Sequence, residues 1–303
     1  MGVVHNPSRL TSLQVLLGGV VDYAGLFPPA ALSMHDALRT YSVASSGPDA
    51  WLLGRFVVPA SRLPELRQHV DAFDGSRLAL SVIVTDGSLA EANALAELRA
   101  AGGKVVAECL ECKPKSIEGV GWLAGLGEHY DVYVEVDPTG DLPLWFERIA
   151  AAGLRAKVRT GGTTAAAFPS VASIVAFMAA AINANVPFKA TAGLHHAVRG
   201  SFRLTYEADA TSAVMYGYLN VLLAAAALKA GHPPDRAVAL LLEDAADAFV
   251  IDGDRIRWRD LAWTADELRG VRADGMTGFG SCSIHEPADD IRALTARHSS
   301  REA

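Results

Sequence analysis

Residues 131–161 read DVYVEVDPTGDLPLWFERIAAAGLRAKVRTG, and their texture decides the fold. Two runs of alternating β-forming residues, Asp131–Val136 and Leu154–Arg159, flank an Ala/Leu-rich stretch with helical spacing at Leu142–Ala152. Pro138-Thr139-Gly140 and Gly153 mark the joins. A strand and its helix in about 25 residues form a βα unit with short connections.

The same rhythm extends in both directions. Strand-like runs occupy Leu52–Val58, Leu78–Val84, Lys104–Leu110 and Phe188–Thr191. Helical stretches occupy Arg62–Phe73, Leu89–Ala101, Ile117–His129 and Ser170–Ala184. Towards the ends, a first strand is expected within Gln14–Val21 and a helix over Ser33–Ser45. Further helices are expected at Ala210–Ala230 and Pro233–Leu242, an eighth strand at Ala248–Asp252, and a last helix at Thr264–Arg272. Eight parallel strands with right-handed helical crossovers close into a (β/α)8 barrel, typically of ~250 residues. An open doubly wound sheet would favour a Gly-rich phosphate turn after its first strand, and no GxGxxG stands there. The expected architecture is therefore α/β, a single (β/α)8 TIM barrel over residues 1–290. The long loop after strand seven reads as a lid, and residues 291–303 as a frayed C-terminal tail.

Composition agrees with one large domain. Half of the 303 residues are hydrophobic, so the chain can offset its ordering entropy by burial. Three cysteines exclude a disulfide scaffold. A net charge of −7 without a basic run excludes an electrostatic footprint for nucleic acid. Leu13–Val21 follows Arg9 and resembles a signal-peptide core, but Gln14, Gly18-Gly19 and Asp22 interrupt it. The longest apolar helix candidate, Leu219–Ala230, is shorter than the ~20 residues that span a bilayer. These features point to a cytoplasmic protein with no membrane partner. The helix around Tyr216–Leu228 leaves a homo-oligomer open.

Alternation along the strands predicts what faces the lumen. Val132, Val134 and Val136 suit the helix side, which turns Tyr133, Glu135 and Asp137 inward. The same reasoning turns in Arg155, Lys157 and Arg159, then Lys189 and Thr191, then Arg55. With Val105, Ala107 and Cys109 outside, Glu108 faces in. An ordinary barrel lumen holds branched apolar residues, and burying this many charges is costly unless they pair or meet a ligand. Either they form a structural ion-pair network or they build an active site at the C-terminal mouth.

Two lysines precede small-residue turns on neighbouring strands: Lys157-Val-Arg-Thr-Gly161 and Lys189-Ala-Thr-Ala-Gly193. A second cation and partial desolvation lower a lysine pKa and free its amine for attack on a carbonyl. Here the chain resembles class I aldolases of the deoxyribose-phosphate aldolase type. These carry Lys-Thr-Ser-Thr-Gly on strand six and Lys-Pro-Ala-Gly-Gly on strand seven. The resemblance implies that Lys157 is the Schiff-base nucleophile and Lys189 the cation that depresses its pKa. Arg159 replaces a small residue of that pattern, and Leu194-His195-His196 stands where the family has a phosphate-binding turn. A phosphorylated sugar is thus not implied. The whole chain is also similar to an uncharacterised bacterial family, which implies no function.

The expected reaction is an aldol or retro-aldol cleavage of a small, anionic carbonyl compound. Glu135, Asp137 or Glu108 would move protons. Arg55, Arg159, Thr191, His195, His196 and Arg199 would hold the substrate. No cofactor is needed in this reading. One alternative is a divalent-metal lyase using Asp22, Glu135, His195 and His196 as ligands. Another is a non-catalytic barrel that binds an anionic metabolite. Cys109-x-x-Cys112 reads as two small residues facing opposite sides of a strand, and Glu111 and Lys113 as loop charges.

Overall fold

The computed structural model of the protein describes residues 11–85 and 88–299. Arg9, beside the N-terminal apolar run, and residues 300–303 of the expected tail lie outside them. Seven parallel strands follow the expected rhythm: β1 (Val21–Tyr23), β2 (Leu53–Pro59), β3 (Leu78–Val84), β4 (Val105–Cys112), β5 (Asp131–Glu135), β6 (Arg155–Arg159) and β7 (Phe188–Thr191). A hairpin, β8 (Gly200–Arg203) and β9 (Ser212–Met215), follows. An antiparallel meander, β10 (Phe249–Asp252), β11 (Arg255–Trp258) and β12 (Leu261–Thr264), comes next. Then β13 (Met276–Ser281) pairs with β7 and β1 and closes an eight-stranded parallel barrel. The chain is a (β/α)8 barrel.

Both ends depart from expectation. Within Gln14–Val21, residues up to Leu17 are helical, and the barrel strand begins only at Val21. Thr11 and Gln14 form a reciprocal capping box that starts this helix, and Leu16, Leu17, Val20 and Val21 are buried in the core. The eighth barrel strand is not Ala248–Asp252, whose residues from Phe249 on form β10 of the meander. It is β13, which carries Gly278 and Gly280. A Cβ on Gly278 would lie 2.9 Å from the carbonyl oxygen of Val20, so the closing strand needs glycine where it meets β1. The expected tail is also structured, since His285–Ser299 is the eighth barrel helix and buries Ala288, Ile291 and Leu294.

The stretch Ala165–Asn183 is long and apolar enough to match a bilayer, a longer candidate than Leu219–Ala230. It is not one continuous α-helix. A 3-10 turn at Ala165–Ala167 is followed by Pro169 and a helix at Val171–Asn183, which buries Ile174, Phe177, Met178 and Ala181 in the barrel core.

Candidate active site

The lumen contains a continuous chain of alternating charges. From the mouth inward it runs Lys113, Glu135, Lys157, Glu111, Lys189, Asp22, with successive contacts of 3.0, 2.8, 2.9, 2.6 and 2.5 Å. All but Lys113 are buried. Ser81 donates to Glu111 Oε1 at 2.6 Å, and the Asp22 carboxylate also accepts the backbone N–H of Arg55 at 2.8 Å. Lys189 sits 5.3 Å above the Tyr133 ring.

Glu111 is the residue that strand alternation missed. Leu80 pairs with Ala107 but Ser81 pairs with Cys109, so Glu108 is an extra residue in β4. Beyond this bulge the faces exchange. Cys109 turns into the lumen, 3.2 Å from Ser81 Oγ, and Glu111 follows it. Leu110 and Cys112 pack among the core residues on the helix side. The two cysteines thus face opposite ways, as their spacing implied. The signal available in the sequence was Glu111 itself, an acid in a run otherwise suited to burial.

The two lysines are not arranged to depress one another's pKa. Burial opposes the charge on Lys157, but Glu111 and Glu135 outweigh it and raise the pKa above the usual lysine value. Burial likewise opposes the charge on Lys189, and Asp22 with Glu111 raises it further. The reciprocal effect of Lys157 and Lys189 overcomes the desolvation of Glu111 and holds it below the usual carboxylate range. Glu135 is lowered in the same way against its burial, chiefly by Lys157.

Other expected site residues are placed elsewhere. Glu108 bridges Arg55 and Arg77, and Arg55 also contacts Asp131, all at the N-terminal end of the barrel. Neither Arg55 nor Glu108 reaches the mouth, because both lie early in their strands. Asp137 lies beyond the end of β5, where alternation no longer applies. It is exposed and accepts the N–H and hydroxyl of Thr139. Arg199 turns towards Asp244, at 3.7 Å.

At the C-terminal mouth a cavity of about 270 Å³ opens above Lys157 and Glu111. That is close to the lower end of ligand pockets, roughly 300–1,000 Å³. Arg159, Thr191, His195 and His196 line it, as expected, together with Thr163 and Cys282. Phe27, Pro28 and Pro29 form one rim. The β8–β9 hairpin roofs the cavity with Arg203, Leu204, Tyr206 and Met215, so the loop after strand seven is a structured lid. Tyr206 lies 3.5 Å from Cys282 Sγ and 3.4 Å from Glu286. His196 stacks on Phe202 of the lid at 3.5 Å and contacts Asp290. Burial opposes a charge on His195, but its contacts with Cys282 and Glu286 raise its pKa to about 9. It is therefore a cation at neutral pH. The lumen chain holds three lysines and three acids and is balanced; at the mouth Glu286 lines the cavity and offsets His195 at 3.3 Å, so the excess positive charge comes from Arg159 and Arg203.

The glycines and threonine of the two lysine motifs have a structural duty. A Cβ on Gly193, at φ +75°, would lie 2.9 Å from Gly161 Cα. Thr160 donates to the carbonyl of Ala192 at 2.7 Å. These contacts tie the ends of β6 and β7 together and set both lysines in register.

The four residues considered for a divalent metal do not fit one. Lys157 and Lys113 occupy Glu135, Lys189 occupies Asp22, and the two histidines turn Nδ1 towards separate acids, Glu286 and Asp290. Among the described residues no group of three or more His, Cys, Asp or Glu side chains gathers for a metal.

No family model and no curated protein matches this chain. Among solved structures it is similar to a nitroalkane oxidase from Streptomyces ansochromogenes, with 14% identity and a TM-score of 0.34. The match covers 62% of this chain and 62% of the oxidase, so the chain spans less than two thirds of that neighbour.

Proposed function

We propose that the protein is a lyase that makes or breaks a C–C bond in a small anionic carbonyl compound through a Schiff base on Lys157. The observation that carries this reading is accessibility. Of the two lumen lysines, Lys157 reaches the mouth cavity and Lys189 lies behind it. An amine on the floor of a small, lidded pocket is placed for carbonyl attack.

The lysine rests as an ammonium, so activation comes from proton transfer within its own ion pairs. Glu135 at 2.8 Å or Glu111 at 2.9 Å takes the proton as a carbonyl carbon approaches. The freed amine forms the C–N bond as the C=O π bond opens, one amine proton passes to the carbonyl oxygen, and the same carboxyl group returns its proton to the hydroxyl so formed, which departs as water. The resulting iminium accepts the electron pair of the breaking C–C bond, while a carboxylate takes the proton of the β-hydroxyl. Glu135 also touches exposed Lys113, which links the buried pair to solvent. Arg159 and Arg203 supply charge for the anionic end of the substrate, and His195, paired with Glu286, lines the same pocket. The three cysteines, buried and unpaired, suit the reducing cytoplasm proposed for the chain.

The test is Lys157→Arg. Arginine keeps the cation for Glu111 and Glu135 but forms no Schiff base. The proposal predicts a folded protein that binds the carbonyl compound and does not turn it over. Retained turnover would reject the covalent role, and a wild-type protein that binds but never turns over would favour the metabolite-binding barrel.

A further inference from the structure

The opposite end of the barrel carries a second polar cavity, of about 400 Å³, with its own charge chain. Arg77, Glu108, Arg55, Asp131 and Arg155 alternate in sign, with contacts of 2.7, 3.0, 3.3 and 2.7 Å. This chain begins and ends on arginine, so two acids face three cations. Arg77 is exposed outside the cavity, whereas Arg272, a fourth cation, lines the cavity wall with Arg55 and Arg155. Its terminal nitrogens donate to the carbonyls of Gly18, Met276 and Thr277, none of which carries charge.

Arg272 is half-buried, and a guanidinium held there by carbonyls alone lacks the counter-charge that normally accompanies burial. Burial lowers the Arg272 pKa to about 10, and Arg55 adds to the effect against the opposing pull of Asp22 and Tyr133. It remains a cation at neutral pH, next to a chain that is itself positive by one. The groups that line the cavity carry an excess of one positive charge, and Arg77, exposed beside Glu108, brings the cluster to two.

We propose that this N-terminal cavity binds a phosphate group, through Arg272, Arg155 and Arg55. A phosphate dianion cancels the cluster's excess of two, and its tetrahedral oxygens suit planar guanidinium donors converging from two strands and the helix at Ala265–Asp274. The site is separate from the mouth. Tyr133 lies between the layers, its hydroxyl bonded to Thr277 on the wall of the lower cavity and its ring facing Lys189.

The experiment is calorimetric titration of inorganic phosphate into the full chain, run beside thermal unfolding with and without phosphate. Wild type should bind at one site and unfold at a higher temperature in phosphate. Arg272→Met and Arg155→Met should each weaken binding roughly tenfold or more, as loss of a charge-assisted contact does. Arg203→Met, which alters the mouth, should leave the affinity within about twofold, because distant sites act independently. Should Arg272→Met fail to fold by circular dichroism, Arg155→Met carries the test, since Asp131 keeps Arg55 as a partner. Absence of both binding heat and thermal shift at millimolar phosphate would overturn the proposal. So would binding that survives both lower variants or disappears in Arg203→Met.

Discussion

Lys157 and Lys189 are direct register partners on β6 and β7, yet Glu111 stands between their ammonium groups and takes one on each carboxylate oxygen. This relationship replaces a picture of two repelling lysines with one of two lysines sharing an acid. Lysine activation then depends on moving a proton along the chain, not on a depressed resting pKa.

The first consequence is a pH profile. Lys157 has a raised pKa and rests as the ammonium form, and its proton passes to a carboxylate of its own pair rather than to solvent. With a carbonyl substrate, kcat/KM should therefore stay level from pH 7 towards pH 9. Attack by a small fraction of amine deprotonated by solvent would instead raise it about tenfold per pH unit, and stopped assays at constant ionic strength distinguish the two.

Glu111→Gln should destabilise the fold. It removes the acid shared by both lysines and leaves two buried cations with one carboxylate each, Glu135 and Asp22. Breaking a buried pair costs about 3–5 kcal/mol, and urea unfolding at pH 7 should show a loss of this order.

The same network sets a pH window for stability. Glu111 and Glu135 have lowered pKa values, so their contribution is complete above the ordinary value of 4.5 and is lost as pH falls through the folded-state values. Lys157 and Lys189 have raised values, so theirs is complete below 10.5 and is lost as pH rises through the folded-state values. Urea midpoints of wild type should form a broad plateau between these limits. In Glu111→Gln the fall on the acid side should be shallower, because one fewer carboxylate is protonated on unfolding.

Arg203→Met should raise KM for an anionic carbonyl compound by roughly tenfold to a hundredfold, the range of one charge-assisted hydrogen bond. Its effect on stability should be within about 0.5 kcal/mol, because the side chain sits on the lid and donates weakly to the Glu207 carbonyl at 3.5 Å. Asp137→Asn is the contrasting case. Its carboxylate is exposed and engaged by Thr139, so steady-state parameters should stay within about twofold.

The contrast between Lys157 and Glu111 explains how far the site was legible in the sequence. Strands β6 and β7 are regular, so alternation placed Lys157, Lys189 and Thr191 in the lumen without error. One added residue at Glu108 reverses alternation in β4, and no local composition announces it, so Glu111 read as a loop charge and Glu108 took its place. The barrel rhythm was legible wherever β-branched residues alternate with helical stretches. It failed at closure, because Met276–Ser281 needs glycines to approach β1 while Phe249–Asp252 looks like a core strand and buries its phenylalanine in a separate sheet. Tyr206 went unread because a lid hairpin borrows its position from the barrel it covers, not from its own pattern.

The most direct measurement is borohydride trapping with peptide mapping. Wild-type protein is incubated with a small anionic aldehyde or ketone such as pyruvate or glyoxylate, reduced, digested and analysed by mass spectrometry. The account predicts a reduced adduct on Lys157, none on Lys189, and none anywhere in the lumen of Lys157→Arg. A stable adduct on Lys189, or a protein that turns over its carbonyl substrate and yields no lysine adduct on reduction, would contradict it.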